Sequence, residues 1–143
     1  MNEEHYNKLV RTYASAPIND FYKPELEISD GKAVIRFEVD RKMFHAAHAV
    51  HGSVYFKALD DAAFFAANSQ VEDVFVLTVS FNVHLFRPVV DGVLTAKGWL
   101  THRTGRLFFA EAGLSDEQGN EIARGSGTFA RSGIALTPEI GYR

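Results

Sequence analysis

The segment from Gly52 to Asn68 constrains this chain more than any other. Read as a helix, Gly-Ser-Val-Tyr-Phe-Lys-Ala-Leu-Asp-Asp-Ala-Ala-Phe-Phe-Ala-Ala-Asn is apolar around nearly its whole circumference, with Lys57, Asp61 and Asn68 forming a narrow polar stripe. A helix of that kind is stable only when protein surrounds it, so the rest of the chain has to wrap it. The rest is suited to that task. Beyond Val71-Glu72-Asp73 the hydrophobic period changes to two, and Phe75, Leu77, Val79, Phe81, Val83 and Leu85 are predicted to share one strand face opposite Thr78, Ser80, Asn82 and His84. Arg87-Pro88 ends that strand, because proline has no N–H for a ladder. Asp91-Gly92 then turns into a strand ending near Thr101, Thr104-Gly105 into a strand over 107–114, and the polar run 116–120 into a last strand over 122–131.

Ahead of the helix, Leu26 and Ile28 alternate with acids, Asp30-Gly31 supplies a tight turn, and Ala33, Ile35, Phe37 and Val39 alternate with polar neighbours. This predicts a hairpin within 24–40 with one buried face. Residues 2–15 place Tyr6, Leu9, Val10 and Tyr13 at helical spacing, ended by Ala16-Pro17. They read as a packing helix that covers a sheet edge or a neighbouring subunit. The stretch 132–143, with Gly133, Pro138 and Gly141, reads as a loosely held tail. The order of elements predicts an α+β fold, an antiparallel sheet around a central helix, in one domain spanning 1–143 with its core at about 24–131. The uncovered helix face and sheet edge call for a second copy of the chain.

Composition narrows the chemistry. With a formal net charge of −3 and no Lys/Arg-rich run, nucleic acid is not expected as a partner. The chain contains no cysteine, which excludes disulfides, thiolate metal sites and cysteine nucleophiles. The acidic start Met1-Asn2-Glu3-Glu4 lacks the pattern of a signal peptide, and no apolar run is long enough to span a bilayer. A cytoplasmic protein without membrane association and without a cofactor is the expectation.

Two carboxylates, Asp60 and Asp61, sit side by side in the central helix and face different ways at about 100° per residue. Asp61 shares the polar stripe with Lys57 and reads as a solvated i,i+4 pair. Asp60 has Phe56, Ala63 and Phe64 one turn away, an apolar setting in which an ionised carboxylate is costly and its pKa is displaced. It reads either as a base or nucleophile or as the structural partner of Lys57. His45, His48 and His51 are spaced by three, but no carboxylate or cysteine completes a standard metal spacing. His51-Gly52-Ser53 marks the helix start, where unpaired N–H groups and the positive dipole end favour negative charge; Gly52 or Ser53 is the expected cap. Ser53 lacks a Gly-x-Ser-x-Gly elbow.

His51-Gly52, Asp60 nine residues after His51, and Asn68-Ser69-Gln70 together resemble the hotdog acyl-CoA thioesterases of the phenylacetyl-CoA thioesterase type. So does the strand from Thr78 to Arg87-Pro88 with Asp91-Gly92 beyond it, and the similarity spans roughly 30–131. The resemblance implies a five- or six-stranded sheet around the helix, dimers or tetramers, and an active site between subunits that takes acyl-CoA. It implies that Asp60 is the catalytic carboxylate, that the Gly52 N–H polarises the thioester carbonyl, and that His51 positions the loop. Where the family has an asparagine six residues before the histidine, this chain has His45, and where a second glycine follows Gly52's position it has Ser53. Ser53, Phe56, Thr78, Ser80 and Arg87 are the expected substrate-binding residues, with Arg103 and Arg106 as further candidates for the CoA phosphates. A non-catalytic acyl-CoA binding or sensing module and a hotdog hydratase or dehydratase are the alternatives.

Overall fold

The computed structural model describes residues 2–143. Helix α1 (Glu3–Ala14) is capped by the Asn2 side chain, which accepts from the His5 N–H, and a single-turn helix α2 (Asn19–Tyr22) follows. Strands β1 (Glu25–Ser29) and β2 (Lys32–Glu38) form the hairpin, with Gly31 at φ 68° in its turn, a conformation that favours glycine. Helix α3 (Gly52–Asn68) comes next, then β3 (Val74–Leu85), β4 (Val93–Arg103), β5 (Leu107–Ser115) and β6 (Glu121–Ala135). All six strands lie in one antiparallel sheet in the order β1-β2-β4-β5-β6-β3, so β1 and β3 are its edges.

The sheet wraps α3 as the apolar circumference of that helix requires. Across its inner face the register aligns Ala33, Gly98, Ala112 and Gly125, a row of small residues on four neighbouring strands. The helix answers with Ala58, Ala62 and Ala63, all buried. Small residues on both sides let backbones approach. At Gly98 a Cβ would fall 2.3 Å from the Ala62 carbonyl oxygen, so the helix rests almost directly on the β4 main chain. Phe108, Phe129, Leu59, Leu94 and Leu114 fill the core around this contact. Among the described residues, no helix is long and apolar enough to cross a membrane.

The structure departs from the sequence expectations in three places. The alternation of β3 is broken: Thr78 pairs with Phe129 and Ser80 with Thr128, so Val79 is an extra residue in a bulge. A one-residue insertion exchanges the two faces. Val76 and Thr78 therefore point inward before the bulge and Phe81 and Val83 after it, while Leu77 and Val79 are exposed (Val79 at 62%). Secondly, β4 and β6 run beyond Thr101 and Arg131, to Arg103 and Ala135. Thirdly, the C-terminal segment is held, not loose. The Leu136 N–H donates to the Asp73 carbonyl at 3.1 Å, Arg11 reaches the Arg143 carbonyl, and the Tyr142 hydroxyl meets Nδ1 of buried His5 at 2.7 Å. The other His5 nitrogen meets the Asn68 carbonyl at 2.9 Å, so one histidine joins both termini to the end of α3.

Candidate active site

Asp60 lies midway along α3 on the side turned towards β3. Its Oδ1 accepts a hydrogen bond from the Thr78 hydroxyl at 3.0 Å; the bulge at Val79 is what turns Thr78 inward. The carboxylate opens onto a cavity of about 740 Å³ whose walls include Phe56, Phe64, Phe65, Phe75 and Leu77. Burial among these rings pushes the Asp60 carboxyl up from 3.8 to about 6; the Thr78 hydrogen bond opposes the rise, the Asp61 charge adds to it, and Lys57 opposes it. Such a group exchanges a proton readily near neutrality.

The far wall comes from a part of the chain that sequence reasoning assigned to packing alone. Tyr13 from α1, Ala16 and Ile18 from the connection, and Asn19 and Tyr22 from α2 all line the Asp60 cavity. Lys57 pairs with Asp61 at 2.5 Å, and both are largely enclosed: their side chains are only 13% and 19% exposed. The expected solvated pair is thus a roofed one, covered by Tyr13, whose hydroxyl donates to Asp61 at 2.6 Å. The alternative in which Lys57 serves Asp60 as an ion-pair partner is not the arrangement seen, since the ammonium is engaged by Asp61, Tyr13 and Asn19.

At the other end of α3 the cap is His51, not Gly52 or Ser53. Its Nδ1 accepts from the Ser53 N–H at 3.0 Å and lies 2.9 Å from the Ser53 hydroxyl, while its own N–H donates to the Met43 carbonyl at 2.8 Å. The cap takes the Ser53 donor and leaves the Gly52 N–H without an acceptor among the described residues. That N–H stands at the positive end of a 17-residue helix. Gly52 borders a separate cavity of about 370 Å³ together with His45, Tyr55, Phe86, Arg87 and Pro88. The Tyr55 hydroxyl holds the Arg87 carbonyl at 3.0 Å, and His45 accepts the Ala47 N–H at 3.0 Å on Nδ1.

The predicted site residues therefore fall into groups. Ser53, Phe56, Asp60 and Thr78 share the large cavity, and Gly52, His45 and Arg87 share the small one. Ser80 belongs to neither: it lies beyond the bulge on the outer face of the sheet, in a depression with Asn82, Thr101, Glu111 and Thr128. Arg103 lies over the Phe108 ring, and neither it nor Arg106 lines either cavity. Asp60 follows Gly52 by eight residues, about 12 Å along a helix axis. One thioester cannot touch both groups of the same chain. Among the described residues no cluster of three His, Asp or Glu side chains is placed to hold a metal.

A six-stranded antiparallel sheet wrapped around a buried central helix defines the hotdog fold. The chain belongs to the thioesterase superfamily, whose family model matches residues 47–123. No curated protein matches the sequence. Among solved structures, the PaaI protein of Escherichia coli, from the phenylacetic acid degradation operon, is 20% identical over 94% of this chain and 98% of its own, with a TM-score of 0.85. A variant of the phenylacetic acid degradation protein PaaI from Thermus thermophilus is 21% identical over 82% and 100%, with a TM-score of 0.74. AziG of S. sahachiroi is 24% identical over 81% and 96%, with a TM-score of 0.75. At these identities the likeness establishes the fold.

Proposed function

We propose that this protein hydrolyses acyl-CoA thioesters to a carboxylic acid and CoA at a site built from two copies of the chain. The observation that carries this reading is Asp60: a carboxylate raised to about 6 by burial, held by one hydroxyl, at the edge of an aromatic cavity in a thioesterase-superfamily chain. Ionised Asp60 takes a proton from water as the water oxygen bonds to the thioester carbon. The carbonyl oxygen gains charge at the Gly52 N–H, where the helix dipole and a fixed donor stabilise it. Collapse expels the CoA thiolate, which recovers the proton from Asp60. Direct attack by the Asp60 oxygen, followed by hydrolysis of the anhydride at the Asp60 carboxyl carbon, gives the same products and would carry solvent ¹⁸O into the Asp60 carboxyl in a single turnover.

The spacing of Gly52 and Asp60 supports a shared site, with Gly52 of one copy serving Asp60 of the other. Strand β3 offers the means. It is a sheet edge of 12 residues carrying exposed Leu77, Val79 and Leu85, and an exposed apolar edge is a surface for pairing with another strand. Phe56, Phe64 and Thr78 then line the acyl cavity, with Arg87 and His45 near the thioester.

The test is CoA release from a panel of short, medium and aryl acyl-CoAs by the wild type and Asp60→Asn. Hydrolysis by the wild type with kcat/KM rising through about pH 6, and its loss in the variant with binding retained, supports the proposal. Binding without turnover in both proteins defeats it in favour of a sensing module, and water addition to an enoyl-CoA defeats it in favour of a hydratase.

A further inference from the structure

Lys57 stands three residues before Asp60 and four before Asp61, so its ammonium is one helical turn from either carboxylate. Which one it serves decides whether Asp60 is a stabilised anion or a reactive one. The helix alone does not make that choice, because both spacings bring the groups together. A second element has to make it.

We propose that Tyr13 and Asn19, carried by the N-terminal arm, are positioning residues for Asp60: together with Asp61 they occupy every donor of the Lys57 ammonium and keep it off the Asp60 carboxylate. This rests on the reading of Asp60 as the reacting group. An ammonium has three N–H donors, and all three are used: on Asp61 at 2.5 Å, on Asn19 Oδ1 at 2.8 Å and on the Tyr13 oxygen at 3.2 Å. The rings of Tyr13 and Tyr22 flank the same nitrogen, with centroids 5.0 and 4.7 Å away, which adds a cation–π attraction to the enclosure. Tyr13 donates its own proton to Asp61, so a single hydroxyl fastens both halves of the ion pair. Burial first, and then the Asp61 charge, push the Tyr13 phenol far above its usual range, so it stays protonated and continues to donate. Asn19 is fixed in turn, its amide donating to the Tyr13 carbonyl at 2.7 Å.

The groups facing Asp60 from each element are few. Its own helix contributes Lys57 and Asp61, α1 contributes Tyr13, α2 contributes Tyr22, and β3 contributes the neutral Thr78. Of these, Lys57 is the one cation, so its placement adjusts the proton affinity that burial raises. Releasing it from the arm lets it turn to Asp60, and a cation at that distance lowers a carboxylate by about 1 or more.

The experiment is the titration of the Asp60 carboxyl by ¹³C NMR in the full-length protein, together with the pH profile of kcat/KM. Tyr13→Phe keeps the ring and removes the hydroxyl; Asn19→Ala removes a different acceptor and serves if either variant folds poorly. Each is expected to move the Asp60 midpoint from about 6 downward by about 1, and to raise kcat/KM at pH 5 relative to its plateau by about fivefold. Adding Lys57→Met to either variant is expected to return the midpoint to its parent value or above. A folded Tyr13→Phe or Asn19→Ala protein whose Asp60 titration is unmoved overturns the inference, since a purely structural role for the arm predicts lower stability without a shift. The titration is read without substrate. A moved midpoint in a protein that hydrolyses no thioester therefore defeats the proposed function alone, and hydrolysis with an unmoved midpoint defeats the role of Tyr13 and Asn19 alone.

Discussion

Replacing Asp60 with Asn removes a charge that the folded chain holds unfavourably. Burial raises the carboxyl from 3.8 to about 6, and one pKa step corresponds to about 1.4 kcal/mol. The ionised form therefore costs the fold at most about 3 kcal/mol. The folded chain binds this proton more tightly than the unfolded chain, so the cost is absent below about pH 4, grows between about 4 and 6, and is complete above that. Asn has nearly the same shape, carries no charge, and keeps an oxygen able to accept from Thr78. Asp60→Asn is expected to be more stable than the wild type by on the order of 1–3 kcal/mol at about pH 7.5 and indistinguishable from it at about pH 4. Urea unfolding at both pH values measures this, at one protein concentration because self-association shifts apparent stability. An Asn protein that gains nothing at the higher pH, or gains equally at both, refutes the idea that burial sets this titration.

Gly52→Pro deletes the N–H proposed to meet the thioester oxygen while respecting the helix: proline suits the first helical position, and His51 already has the extended backbone (φ −66°, ψ 143°) that a following proline needs. We expect kcat to fall by about a hundredfold or more with the thermal midpoint little changed, read by CoA release and calorimetry. Gly98→Ala places a Cβ against the Ala62 carbonyl and is expected to lower stability by about 1–3 kcal/mol or more, seen as an earlier urea midpoint. Tyr142→Phe leaves Nδ1 of buried His5 without its partner and is expected to cost about 1–2 kcal/mol by the same assay.

The central helix was legible from Gly52 to Asn68 because its apolar circumference is a property of single residues at fixed angular spacing. The first hairpin was legible because Asp30-Gly31 admits little but a tight turn. Thr78 was placed on the wrong face because alternation assumes an unbroken ladder, and nothing in Thr78-Val79-Ser80 marks an extra residue. The role of Tyr13 was hidden for another reason. Its helical spacing identifies a packing face, but whether that face covers a sheet edge, a second copy or a cavity depends on contacts 48 residues along the chain, at Asp61. The same distance hid the burial of Lys57 and Asp61, whose i,i+4 spacing is shared by countless exposed pairs. The held C-terminal segment was missed because its anchor, His5, lies 137 residues from Tyr142.

The extra residue in β3 makes the surroundings of Asp60 a matter of counting. If the ladder ran unbroken through Val79, that residue would take the place opposite Phe129, and the acid would face its isopropyl group in place of an alcohol. The strand would keep its backbone bonds and its place at the sheet edge. One residue left out of the pairing in an exposed strand thus separates a carboxylate with a hydroxyl to steady it from one stranded against hydrocarbon.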